Sequence, residues 1–173
     1  MNQALKGIDT LSRFARVLFY AALLGMTGLA GCAAPSGLTP AQIAMLRQQG
    51  FTPAPDSSWQ LGLSDKVLFA ENSDNIAPST DKRIEGIGRD LASVDISKLR
   101  VEGHTDGFGA DAYNDQLSFH RAQAVADAFE SVGFLGSNII VRGLGKQDPV
   151  ADDNTPGGAA QNRRVSIIVP SDQ

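Results

Sequence analysis

One cysteine, two histidines and a single tryptophan in 173 residues set the first limits. A lone cysteine makes neither an internal disulfide nor a Cys-based zinc cluster. Two histidines leave no material for a His-rich metal site, so neither a metal nor a cofactor is expected. Basic residues are scarce as well. The 15 Lys and Arg stand against 19 Asp and Glu, a net charge of −4 with a pI near 5.0. Coating nucleic acid needs a basic surplus that neutralises phosphates, and this chain has none. Long apolar runs are missing too: Val17 to Leu24 falls well short of the roughly 20 residues of a spanning helix. No internal repeat or low-complexity tract is visible. What is present is an ordinary globular balance, 42% hydrophobic and 20% charged. The length suits one domain of about 100–150 residues with appendages.

The front of the chain reads as an address. Lys6, Arg13 and Arg16 form a positive n-region, and Val17–Leu24 an apolar h-region. Leu29-Ala30-Gly31-Cys32 follows, and it resembles the lipobox of bacterial lipoproteins. That resemblance implies cleavage before Cys32, with diacylglyceryl modification and N-acylation of the cysteine. Residues 1–31 are therefore expected to be a cleaved signal peptide, and 32–58 a lipidated N-terminus and linker. Two or more acyl chains hold where one binds marginally. An acidic chain gains nothing from anionic lipid, so acylated Cys32 must do the anchoring. Ala33 stands where inner-membrane retention resembles an Asp, which points to the periplasmic face of the outer membrane.

Within the linker, Thr39-Pro40-Ala41-Gln42 predicts a helix over residues 40–49. Thr39 suits the N-cap, Pro40 the N1 position, and Gln42 completes a capping box. Leu38 and Ile43 form a hydrophobic staple, and Gly50 supplies the stop. So short a helix does not persist alone in water. Ile43, Leu46 and Phe51, near Trp59, must dock on something. Such an element is expected to be a switch segment that sets both the reach of the domain and its affinity for a partner.

The main domain is placed at 59–171. Val67-Leu68-Phe69 reads as a short strand, and Ile84, Ile87, Leu91 and Val94 recur at helical spacing. Leu99–Gly103 alternates as a strand. A longer amphipathic helix runs from about Asp111 to Val132, and Ile139–Val141 and Val165–Val169 make two more strands. The order β-α-β-α-β-β predicts a two-layer α+β domain with helices packed on one mixed sheet.

The chemistry concentrates between residues 101 and 122. Asp106 sits in a Gly-flanked loop after a strand, and Arg121 lies on the following helix. A carboxylate and a guanidinium across one concavity can grip a zwitterion, ammonium to Asp106 and carboxylate to Arg121. Gly107 and Gly109 allow close backbone approach, and the helix start adds a positive dipole. The spacing equally allows a plain Asp106–Arg121 salt bridge. A hydrolase has little support. Ser118 and His120 point to different faces of one helix, and no nucleophile accompanies His104. Asn162, Arg163 and Arg164 read mainly as loop-closing groups, with ligand contact as the lesser alternative, and His120 as a solvated surface residue.

The string Gly103-His104-Thr105-Asp106, Gly109, Tyr113-Asn114, Leu117-Ser118, Arg121-Ala122, with Gly143-Leu144-Gly145 and Asn162-Arg163-Arg164-Val165, resembles the peptidoglycan-binding domain of outer-membrane protein A over residues 65–169. The resemblance implies that Asp106 and Arg121 hold the meso-diaminopimelate of a cell-wall stem peptide, with Asn72, Gly109, Asn114 and Leu117 completing the site. From Gly37-Leu38 through Trp59 and Lys66-Val67-Leu68-Phe69 to Asn162-Arg163-Arg164-Val165 the chain resembles signalling members of the same family, which the 38–59 segment sets apart from simple tethers. That implies a further partner, a periplasmic repressor of an inner-membrane diguanylate cyclase, and a homodimer is also expected. The alternative is a mechanical tether between outer membrane and wall.

Overall fold

Short local signals decide the first described helix. In the computed structural model, residues 37–69 and 76–173 are described; residues 1–31, read above as a signal peptide, Cys32 and Asn72 lie outside them. Helix α1 spans Pro40–Gln48, and the capping box closes as expected: the Gln42 N–H donates to Thr39 Oγ1 at 3.3 Å and the Thr39 N–H to Gln42 Oε1 at 2.8 Å. Its far end is a Schellman motif. The Gly50 N–H donates to the Arg47 carbonyl and the Phe51 N–H to that of Leu46, with Gly50 at φ +86°.

A five-stranded sheet follows: β1 (Thr52–Pro53), β2 (Trp59–Ser64), β3 (Leu99–His104), β4 (Ile139–Gly143) and β5 (Arg164–Val169). The order across the sheet is β1-β2-β5-β3-β4. β5 runs antiparallel to both β2 and β3, and β3 pairs parallel with β4, so the sheet is mixed. Among the described residues the remaining helices are α2 (Asp65–Leu68), α3 (Pro78–Ala92), α4 (Asp111–Ser131) and α5 (Pro156–Asn162), with a 3-10 turn at Gly136–Asn138. Pleating sends alternate side chains to opposite faces. Leu99 and Val101 are buried under α4, while Arg100 and Glu102 pair at 2.8 Å on the other face. Ile84, Ile87 and Leu91 of α3 meet Val125 and Phe129 of α4 and Val165 and Ile167 of β5 in one core.

Three details differ from the sequence expectation. Val67-Leu68-Phe69 is not a strand: Asp65–Leu68 forms one helical turn, and only Phe69 makes a bridge, to Ile76. The Asp65 N–H donates to the Arg163 carbonyl at 2.9 Å, which ends β2 and starts that turn. β2 itself and α5 were not foreseen. Finally, residues 37–58, read as a linker, share the core. Leu46, Phe51 and Trp59 are buried there with Ile43 packed against them, and Gln49 Nε2 donates to Asp90 Oδ2 at 2.7 Å. Arg47 adds a cation–π contact to Trp59 at 5.6 Å.

His104, at the end of β3, is buried in this frame, with Nδ1 3.1 Å from the Gln147 carbonyl. A carbonyl only accepts, so Nδ1 carries the proton of the neutral ring. Burial first, then the Arg164 charge, holds its pKa below the ordinary 6.5. The unfolded chain therefore binds a proton that the fold resists. The stability His104 contributes is complete above about pH 6.5 and drains away as pH falls below that value. Thermal melts at pH 7 and pH 5 should show a drop in Tm for the wild type and a smaller one for His104→Gln. Equal drops would assign the pH dependence to other groups.

Candidate functional site

The cleft forms where three segments meet at the carboxyl end of β3. The loop after β3 presents Asp106, Phe108 and Gly109; α4 presents Tyr113, Asn114, Leu117 and Arg121 on one face; the first residue of α2, Asp65, and the residue that ends it, Phe69, face them. Arg163, just before β5, closes the ring around a cavity of about 880 Å³. Positions 114, 117 and 121 fall at helical spacing, so α4 offers all three to the same side.

How α4 comes so close to the sheet is written in two glycines. A Cβ on Gly103 would collide with the Ser118 carbonyl, and one on Gly143 would come within 2.6 Å of the Asp115 carbonyl and the Phe119 nitrogen. The helix thus rests on the bare backbone of β3 and β4. Ser118 Oγ accepts the Gly145 N–H at 2.9 Å, and the Gly145 carbonyl accepts the Thr105 N–H at 2.8 Å. From the same loop, Lys146 Nζ donates to the Gly109 carbonyl at 2.7 Å and pairs with Asp111 at 2.8 Å. That bond and charge hold the Asp111 carboxyl below its usual pKa. Asn114 Nδ2 donates to the Phe108 carbonyl at 2.6 Å, fixing the loop tip. Ala110 at the N-cap supplies no side-chain cap, so the positive end of a 21-residue helix lies beside the cleft.

Charge alternates across the cleft. Asp106 Oδ2 accepts from Arg163 Nη1 at 2.6 Å, Arg163 Nε stands 3.7 Å from Asp65 Oδ2, and Asp65 Oδ1 meets Arg121 Nη2 at 3.1 Å. Arg121 is buried, with Phe69 over its guanidinium at 5.2 Å. Asp106 and Arg121 are thus joined through Arg163 and Asp65, not by the direct bridge the spacing allowed. Asp106 Oδ1 also accepts the Phe108 N–H at 3.3 Å.

The structure brings Asp106, Arg121, Gly109, Asn114 and Leu117 together; Asn72 and Cys32 lie outside the described residues. Ile43, Leu46, Phe51 and Trp59 belong to the core and not to this cleft. Asn162 does close a loop, accepting from Val150 and Ala151 and donating to Asp153, and Arg164 donates to the Asp148 carbonyl. Arg163 lines the cleft, where the lesser alternative of ligand contact would put it. Asp65 was missed altogether. Its one sequence signal was a lone acid closing the alternating run Trp59-Gln60-Leu61-Gly62-Leu63-Ser64. Among the described residues no cluster of His, Cys, Asp or Glu is arranged to hold a metal ion, and no helix is long and apolar enough to cross a membrane.

The family model of the OmpA family matches residues 68–163. The outer-membrane lipoprotein YfiB of Pseudomonas aeruginosa is 44% identical over 161 residues, covering 93% of this chain and 95% of the relative. A YfiB lipoprotein of Escherichia coli K12 is 42% identical over 143 residues, 82% and 89% of the two chains. The crystal structure of the peptidoglycan-associated lipoprotein from Burkholderia pseudomallei aligns with a TM-score of 0.52 at 28% identity, covering 59% of this chain and 86% of that one.

Proposed function

The chain belongs to the OmpA family, and from that premise we propose that it is a lipoprotein of the outer membrane that binds peptidoglycan. The observation that carries this reading is the alternating ring Asp106–Arg163–Asp65–Arg121 around an open cleft. A free diaminopimelate end bears an ammonium and a carboxylate on one carbon. Such a zwitterion enters the ring with every charge paired: the ammonium takes Asp106, and the carboxylate takes the Arg121 fork. The α4 dipole and the loop around Gly109 favour the same anionic group. Phe108 and Tyr113, both well exposed at the rim, offer apolar faces to the rest of the stem peptide.

The domain is held to the membrane by acylated Cys32, after removal of residues 1–31. Bound to the wall, it sequesters a YfiR-like periplasmic repressor of an inner-membrane diguanylate cyclase and thereby raises cyclic-di-GMP. The docked helix α1 supports this role, because a passive spacer has no need of a capping box, a Schellman end and an apolar edge packed on the core. A plain tether is the second reading, favoured by the likeness to a peptidoglycan-associated lipoprotein. Its partners are the wall and the lipid alone.

Fractionation tests the anchor. Cys32→Ser should pass from the outer-membrane fraction to the soluble periplasm and still sediment with purified sacculi. Retention of that variant in the membrane fraction of wall-free spheroplasts argues against acylation at Cys32. Lipid-free protein that fails to sediment with sacculi argues against wall binding.

A further inference from the structure

We infer that Asp65 tunes the affinity of the cleft by standing in for the carboxylate of the ligand. The inference rests on the peptidoglycan reading and adds a residue to it. Arg121 is only 6% exposed, and a guanidinium stays charged at any ordinary pH. A charge so placed needs an anion beside it. Asp65 provides one, with Oδ1 at 3.1 Å from Arg121 and Oδ2 at 3.7 Å from Arg163. It is not a mobile tail. Its N–H donates to the Arg163 carbonyl at 2.9 Å, and the turn that follows it carries Phe69 onto the Arg121 guanidinium. Its side chain is still 19% accessible, from within the cleft.

One carboxylate between two guanidiniums is the arrangement a ligand carboxylate would make for itself. The incoming group must therefore share Arg121 and Arg163 with Asp65. Two carboxylates on one site disfavour each other. The ligand ammonium offsets part of that repulsion, so a zwitterion is tolerated where a simple anion is not. Asp65 thus has opposite effects in the two states: it steadies Arg121 in the free protein and weakens the grip on the ligand. A residue with a purely structural role would support both.

Asp65→Asn separates the two cases, because it keeps the shape and removes the charge. Calorimetric titration uses soluble muropeptides carrying diaminopimelate, either with its free carboxylate or with that group amidated. The variant should bind the free-carboxylate form about tenfold more tightly than wild type, about 1.4 kcal/mol. It should show no gain for the amidated form, and its ligand-free Tm should be lower. Asp65→Glu, which retains the charge, should show no gain for either. If Asp65→Asn does not fold, Asp65→Ser is read in the same way. Unchanged or weaker binding of the free-carboxylate form overturns the inference, since Asp65 then serves to hold Arg121 in place. An equal gain for both muropeptides overturns it too. Failure of wild type and variant alike to bind any muropeptide removes the peptidoglycan reading and this inference with it.

Discussion

Asp106→Ala combined with Arg121→Ala should abolish sedimentation with purified sacculi. Each charge-assisted contact contributes about 1.5–3 kcal/mol, so losing both lowers affinity by about a hundredfold or more, allowing for non-additivity between neighbours. The two single changes differ in their side effects. Asp106→Ala leaves Arg163 with a side chain 30% exposed, which water can solvate, so the fold should tolerate it. Arg121→Ala removes a buried group and leaves Asp65 facing a void under Phe69. Some loss of Tm is expected there, and Arg121→Lys keeps the charge while removing the fork. It should retain the fold and lose most of the binding. Circular dichroism on every variant separates the causes. A folded double variant that sediments like wild type would place the wall contact elsewhere.

The second large effect concerns α1. Leu46→Pro removes the N–H of a mid-helix residue and sets a ring against the carbonyl of Gln42, a cost of about 3 kcal/mol or more. It also strips a fully buried leucine from the core, worth about 2–5 kcal/mol by large-to-small precedent. The sum exceeds what a helix of 9 residues can recover by local capping. The outcome is release of α1 with the rest of the sheet intact, because the β2–β5 and β5–β3 ladders do not pass through it. Extending those residues from a 1.5 Å to a 3.3 Å rise lengthens the tether by about 16 Å. Hydrogen exchange over residues 40–51 should rise steeply, while sacculus binding by lipid-free protein stays as it was. Capture of the periplasmic repressor and cellular cyclic-di-GMP should both increase. A folded variant with free exchange at α1 and no change in either signalling readout would favour the tether.

What the sequence disclosed follows from the range of the forces involved. The ends of α1 were legible because a capping box and a Schellman glycine act within six residues. Ile84, Ile87 and Leu91 declared their helix by period alone. β2 was harder. Its alternation is interrupted by Gly62, and its partner β5 lies about a hundred residues away. Asp65–Leu68 misled for a related reason: Val67, Leu68 and Phe69 have strand-forming side chains, but a hydrogen bond from Asp65 to distant Arg163 turns the chain before they can pair. In the cleft, Asp106 and Arg121 were readable through their neighbours in one motif. Asp65 was not, and Arg163 was legible only as part of a loop-closing trio with ligand contact as the lesser alternative, since their meeting depends on β2 and β5 lying side by side. An ion pair leaves no local trace when its halves come from opposite ends of the chain.

The seat of α4 on Gly103 and Gly143 has a bearing on how such a cleft ages through mutation. In most packed interfaces, spacing is negotiated by side-chain volumes and drifts as they are exchanged. Here the helix that bears Arg121 touches the strand that leads to Asp106 through main-chain atoms, whose dimensions no substitution alters. The gauge between carboxylate and guanidinium is therefore cast in peptide geometry. Leu99, Val125 or Phe129 can be traded for other apolar residues, and the core will resettle around them, while the width of the jaws stays the same. Descendants of this chain are free to remodel the interior and the rim, but any that fill either glycine must rebuild the cleft from the start.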